Sequence, residues 1–155
     1  MHIYSHPVCL EHRVPNGHPE KPQRLQRVLQ HLDDCGISQQ YPILEAPTAL
    51  EEDILRAHPA SHLAFIHTGV PADDALLTPV DPDTWMGTHS EQAARVAAGA
   101  VVAGVSDLIA GRSKRVFCAV RPPGHHAEIN AAMGFCLFNS VAIGALHALA
   151  QDSID

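Results

Sequence analysis

Hydrophobic and polar positions along the chain change period from segment to segment, and each period predicts an element. His2-Ile-Tyr-Ser5 reads as a short first strand, and the stretch up to Pro19 is a loop rich in His, Pro and Gly. Pro22 suits the first turn of a helix. Leu25, Val28, Leu29 and Leu32 then recur at the i, i+3, i+4, i+7 spacing of an amphipathic helix, which Gly36 ends. Tyr41 to Ala46 predicts a second strand. Thr48-Ala-Leu-Glu51 has capping-box spacing and predicts a short helix through Arg56; Pro59 starts another that carries Leu63, Phe65 and Ile66. Thr68 to Thr88 is broken by Pro71, Pro79 and Pro82 and carries Asp73, Asp74, Asp81 and Asp83. It reads as a long surface loop, and loops of that length are often functional.

The longest helix is predicted from a Ser90 cap to about Ala110, closed by Gly111. Its inward face is Ala93, Ala97, Ala100, Val101, Gly104 and Leu108. Gly104 lowers helix propensity, which a tight helix–sheet contact would explain. Arg115 to Val120 is apolar and β-prone without alternation, as a strand covered on both faces would be. Asn139 or Ser140 caps a last helix that runs to about Ala150. Strands alternating with helices predict an α/β fold with a parallel sheet. In such folds the ligand site lies beyond the carboxyl ends of the strands. The Arg121–Asn139 loop leaves the best buried strand at that end.

The chain has 155 residues, enough for one domain with a core, and 46% apolar with 17% charged residues fits a globular protein. Seventeen acids against ten bases give a formal charge of −7, and no Lys/Arg cluster occurs, which argues against nucleic acid as a direct partner. The opening Met-His-Ile-Tyr-Ser-His has no basic start and no apolar core, so no signal peptide is expected. Val96 to Val105 is too short and too rich in alanine to span a bilayer, so no membrane partner is expected. Cys9, Cys35, Cys118 and Cys136 are scattered and read as reduced thiols in a cytoplasmic protein.

Candidate chemistry concentrates in one stretch, Arg121-Pro-Pro-Gly-His-His-Ala, where His125 and His126 follow a stiff bend. Imidazole titrates near neutral pH and is the default general acid/base. One neutral His can take a proton from an attacking water while its neighbour stabilises the developing charge. From the dipeptide alone, a pair of loop histidines without a task is the alternative; adjacent side chains are poor metal ligands without a third partner. Gly134-Phe135-Cys136 reads as a turn presenting an aromatic wall or as the entry to a buried segment. Gly17-His-Pro-Glu-Lys-Pro-Gln-Arg-Leu25 reads as a loop and helix start with Glu20 and Arg24 paired on the surface. Asp81 and Asp83 read as solvated loop acids.

In this order, the segments resemble the histone deacetylase superfamily, including its bacterial acetylpolyamine and acetoin-utilisation relatives. CLEHRVPNGHPEKPQRL resembles the amino-terminal His-Pro-Glu signature, and AHPASHLAFI is similar to the helix that follows it. VDPDTWMGTHSEQAARVAAGA resembles the Asp-Thr loop and alanine-rich helix, and RPPGHHAEINAAMGFCLFNSVAIGA resembles the tandem-histidine block. The resemblance implies a partial arginase-deacetylase fold: a parallel sheet of about three strands with flanking helices. It also implies a metal-dependent amidohydrolase, usually a zinc enzyme, acting on acylated amines such as acetyl-lysine or acetylpolyamine. His126 is then the general base and acid, His125 the partner that orients water and stabilises charge, and Gly134 and Phe135 line the substrate tunnel. Asp81 and Asp83 are candidates for its rim, with no role assigned.

The family's Asp-x-His metal-ligand motif occurs nowhere in this sequence. Residues 1–155 are therefore expected to be the amino-terminal portion of the domain, ending before the metal-ligand segment. The expected state is a fragment that is inactive alone and carries no catalytic metal of its own, zinc belonging to the complete domain. Its expected partner is a second copy or a complementary carboxy-terminal half. The alternatives are a non-catalytic oligomeric binding module and a small enzyme that recruits metal through its own histidines.

Overall fold

The computed structural model describes residues 1–151. In chain order the elements are β1 (His2–Ser5), α1 (Val8–Glu11), α2 (Pro22–Asp34), α3 (Ile37–Gln40), β2 (Ile43–Glu45), α4 (Glu51–Ala57), α5 (Ala60–Gly69), β3 (Thr78–Asp81), β4 (Thr84–Met86), α6 (Ser90–Ile109), β5 (Val116–Cys118) and α7 (Ser140–Leu149). The α/β architecture is the one expected. Three parallel strands run in the order β2–β1–β5, with Ile3 opposite both Ile43 and Phe117. Parallel neighbours need long crossovers, and the helices between the strands supply them.

α6 organises the interior because it lies between two cores. Ala93, Val96 and Ala100 pack with Tyr4, Val8, Cys9, Leu25 and Ala119 on the sheet side. Ala94 and Ala98 pack on the other side with Ile54, Leu63, Ile66, Leu137, Phe138 and Ile143. A helix covered on two sides by close neighbours has room for little beyond alanine. At Gly104 a Cβ would stand 2.7 Å from Val116 Cγ1. That is the tight helix–sheet contact expected from its low propensity. By length and composition α6 could cross a membrane, at a mean hydropathy of 1.3, yet half of that stretch is buried inside this domain.

Several local expectations need correction. Thr68–Thr88 is not all loop: β3 and β4 form an antiparallel hairpin, with Thr78 opposite Met86 and Pro79 opposite Trp85. The capping box at Thr48 is not used; Leu50 is the N-cap of α4, and no side chain caps it. Ser90 lies inside α6 after His89. Its Oγ accepts the Gly87 N–H at 2.7 Å and meets His12 Nδ1 at 2.7 Å, so it is spent on tertiary bonds. Leu108 is exposed and Val101 only half-buried, so the inward face of α6 is narrower than its pattern. β5 is three residues long, pairs with β1 on one edge, and leaves Phe117 41% exposed, so it is not covered on both faces here. Asn139 does cap α7, accepting the Ala142 N–H at 2.9 Å.

Candidate functional site

The site begins where β5 ends. Arg121, just beyond the strand, turns its guanidinium inward to Glu20, with Nε donating to Oε1 at 2.6 Å and Nη2 to Oε2 at 2.7 Å. Nη1 also donates to the carbonyls of Cys9 (2.9 Å) and His12 (3.1 Å). The planar fork of arginine suits a two-pronged carboxylate contact, and charge-assisted bonds of this kind are the strong ones. Both side chains are buried, at 2% and 3% exposure. The pair therefore fastens the Pro-Pro-Gly bend to the amino-terminal loop. Glu20 is not paired with Arg24 on the surface, as expected from local spacing. Burial, reinforced by the Arg121 charge, pushes the neighbouring His12 down to about 3, so it is neutral at ordinary pH.

Beyond the bend, His125 and His126 are exposed side by side, ring centroids 4.3 Å apart and tilted by 50°. The His126 N–H donates to Cys136 Sγ at 3.5 Å. Gly134 has φ +57°, and a Cβ there would fall 2.7 Å from His126 Cβ and 2.8 Å from its Cγ. Only a glycine permits the turn to lie flat against this imidazole. Phe135 follows at φ 69° and donates its N–H to Thr84 Oγ1 at 2.9 Å, so the hairpin holds the aromatic in place. The ring of His18 meets Phe135 edge-on at 4.7 Å. His18 Nε2 donates to the Asp83 carbonyl at 3.0 Å while Nδ1 accepts the Glu20 N–H at 3.1 Å.

The result is a cleft of about 570 Å³ whose walls include His125, His126, Gly134 and Phe135, with Asp81, Asp83 and Arg24 on its rim. Removal from water and the carboxyl of Asp83 beside it push Asp81 above the ordinary carboxylate range. Two exposed imidazoles beside an aromatic wall can exchange protons with a bound molecule. Among the described residues, no group of three or more His, Cys, Asp or Glu is arranged to hold a metal ion. The donors present therefore do not fit a catalytic zinc site, which takes three protein ligands and an open position.

The structure brings together all four residues singled out in the sequence, His125, His126, Gly134 and Phe135, and adds the two rim aspartates. Sequence reasoning missed Glu20, Arg121, Thr84 and His18 as the residues that hold them. One signal was available: an arginine at the end of an apolar strand, immediately before Pro-Pro, calls for a buried counter-charge.

A three-stranded parallel sheet with a cleft beyond its carboxyl ends places the chain among α/β proteins. It belongs to the histone deacetylase family: the family model described as Histone deacetylase domain matches residues 18–155. The chain is 35% identical to Histone deacetylase 9 of Homo sapiens over 96% of its own length and 17% of that protein. It is 33% identical to a Histone deacetylase-like amidohydrolase of Pseudomonas aeruginosa, covering 90% of this chain and 36% of that one. Among solved structures, the HDA15 HD domain superposes with a TM-score of 0.87 at 32% identity, over 96% of this chain and 42% of that chain. The chain thus spans less than half of each of these relatives.

Proposed function

We propose that this chain carries the acid/base and substrate-wall portion of a deacetylase that hydrolyses amides of acylated amines such as acetyl-lysine or acetylpolyamine. The observation that carries this reading is the meeting of His125 and His126 with Gly134 and Phe135 in one cleft at the carboxyl end of β5. In this reading His126 takes the proton of the attacking water and returns it to the departing amine. His125 donates to the charge that develops on the carbonyl oxygen. Gly134 and Phe135 hold the acyl-amine chain. A zinc of the kind the family resemblance implies would be held by residues other than those described, and the residues of this cleft would supply proton transfer and positioning.

A second reading, a non-catalytic oligomeric module, draws on the open edge of β5. A groove of about 280 Å³ runs beside that strand, lined by Val28, Phe117, Cys118 and Val120 among others. Unpaired apolar strand edges template association. A second copy or a complementary carboxy-terminal half would cover it in either reading. We place the protein in the cytoplasm, on the strength of four free cysteines.

The test is one preparation of the isolated chain examined for zinc content, turnover of acetyl-lysine and acetylpolyamine substrates, and sedimentation. No tight zinc, no turnover and a dimer or larger species are expected. Stoichiometric zinc with turnover abolished by His126→Ala would favour instead a site assembled from the chain's own histidines.

A further inference from the structure

Outside the lining of the tandem-histidine cleft, three helices meet at His147 of α7. Its Nδ1 lies 3.0 Å from Asp53 Oδ1 on α4, and its Nε2 lies 2.9 Å from Ser106 Oγ on α6. The Asp53 side chain is 6% exposed and that of His147 15%, while Ser106 is half-buried. Arg56 Nε stands 3.7 Å from the same Asp53 oxygen. A carboxylate can only accept, so the imidazole proton sits on Nδ1 and leaves Nε2 to accept from the serine hydroxyl. This is the connectivity of an activated nucleophile: hydroxyl to base, base to an orienting carboxylate.

We propose that Ser106 is a nucleophilic serine that takes up acyl groups from activated esters, with His147 as its base and Asp53 as the positioning residue. In the step, Ser106 Oγ forms a bond to the ester carbonyl carbon and the bond from that carbon to the leaving oxygen breaks. The serine proton passes to His147 Nε2 and from there to the leaving oxygen or to water; no electrons change hands. Ser106 sits within α6, where backbone N–H groups are committed to the helix. Such a position offers no ready-made oxyanion hole, whose absence weighs most when the leaving group is poor. The substrate class is therefore esters of good leaving groups, not amides, and the acyl-serine accumulates.

The probe is p-nitrophenyl acetate on the whole chain, read by nitrophenolate release and by peptide mapping of the acetyl group. A stoichiometric burst with acetyl on Ser106 is expected. Ser106→Ala should remove that acetyl and the burst, while Cys35→Ser, which deletes the exposed thiol, should leave both in place. His147→Ala and His147→Gln should slow acylation by about 10²–10⁴-fold, the range of general-base assistance. Asp53→Asn should slow it too, with Asp53→Glu recovering part of the rate. Circular dichroism of every variant separates lost reactivity from lost folding. Folded wild-type chain with no acetyl on Ser106 overturns the proposal and leaves the trio as a clamp between three helices. Acylation of Ser106 at an unchanged rate in the His147 variants overturns it equally.

Discussion

Replacing Arg121 with methionine tests what fastens the tandem-histidine loop. The substitution keeps a long apolar stem and deletes the guanidinium, stranding the Glu20 carboxylate and the carbonyls of Cys9 and His12. Removing one partner of a buried ion pair costs about 3–5 kcal/mol, because the other charge stays behind without compensation. Each orphaned carbonyl carries a further penalty of about 1–3 kcal/mol where water cannot reach it, but penalties in one network do not add. A net loss of about 4 kcal/mol is expected. At about 2–4 °C per kcal/mol for a chain of this size, the midpoint should fall by roughly 8–16 °C. The double variant Glu20→Gln/Arg121→Met has no stranded charge and should recover much of the loss.

Thermal and urea unfolding followed by circular dichroism measure the loss in the single variant and its recovery in the double. A single variant within about 1 kcal/mol of wild type would refute the reasoning, as would a double variant no more stable than the single.

Two further outcomes follow from local geometry. Gly134→Ala meets both a positive φ and a 2.7 Å approach to His126 Cβ; it should cost about 1–3 kcal/mol and shift the His126 ring signals in NMR spectra. Near the start of β1, burial raises the Asp107 carboxyl, but bonds from Tyr4, His2 and Arg112 outweigh it and hold the group at about 2. Its stabilisation is therefore present above the unfolded pKa of about 3.9 and lost as pH falls towards 2. With Arg112 more than half exposed, about 1–2 kcal/mol is at stake. Urea unfolding between pH 5 and 2 should show that loss in wild type and not in Asp107→Asn.

The parts of this fold that were legible from sequence are those whose signal is local. α2 follows from four leucine and valine positions at helical spacing and α7 from its Asn139 cap, while α6 follows from its small-residue stripe. The β3–β4 hairpin escaped because Pro79 and Pro82 punctuate it like a loop, and strands of three or four residues show too little alternation to outvote them. Ser90 has the chemistry of a cap but is drawn into bonds with His12 and Gly87 instead. Glu20 misled for a related reason. Its i, i+4 neighbour is Arg24, while its true partner lies 101 residues away, and no local spacing encodes that distance. The composition of Val116-Phe117-Cys118 records a surface that gains from cover, not whether a given neighbour provides it.

The position of β1 at the middle of the sheet sets a timetable for synthesis. Ser5 donates its hydroxyl to the Ala119 carbonyl, 114 residues later in the chain. At a translation rate of about 5–20 residues per second, the first strand emerges roughly 6–23 seconds before that acceptor exists. During the interval Ile3, Tyr4 and Val8, all buried once folded, can find β2 and, only late in it, α6, but not β5. Nascent chains paused in this window should therefore be the species that chaperones hold and that aggregate when translation outpaces them. Slowing or speeding the ribosome across the α5–α6 region should change soluble yield without altering a single contact of the finished fold.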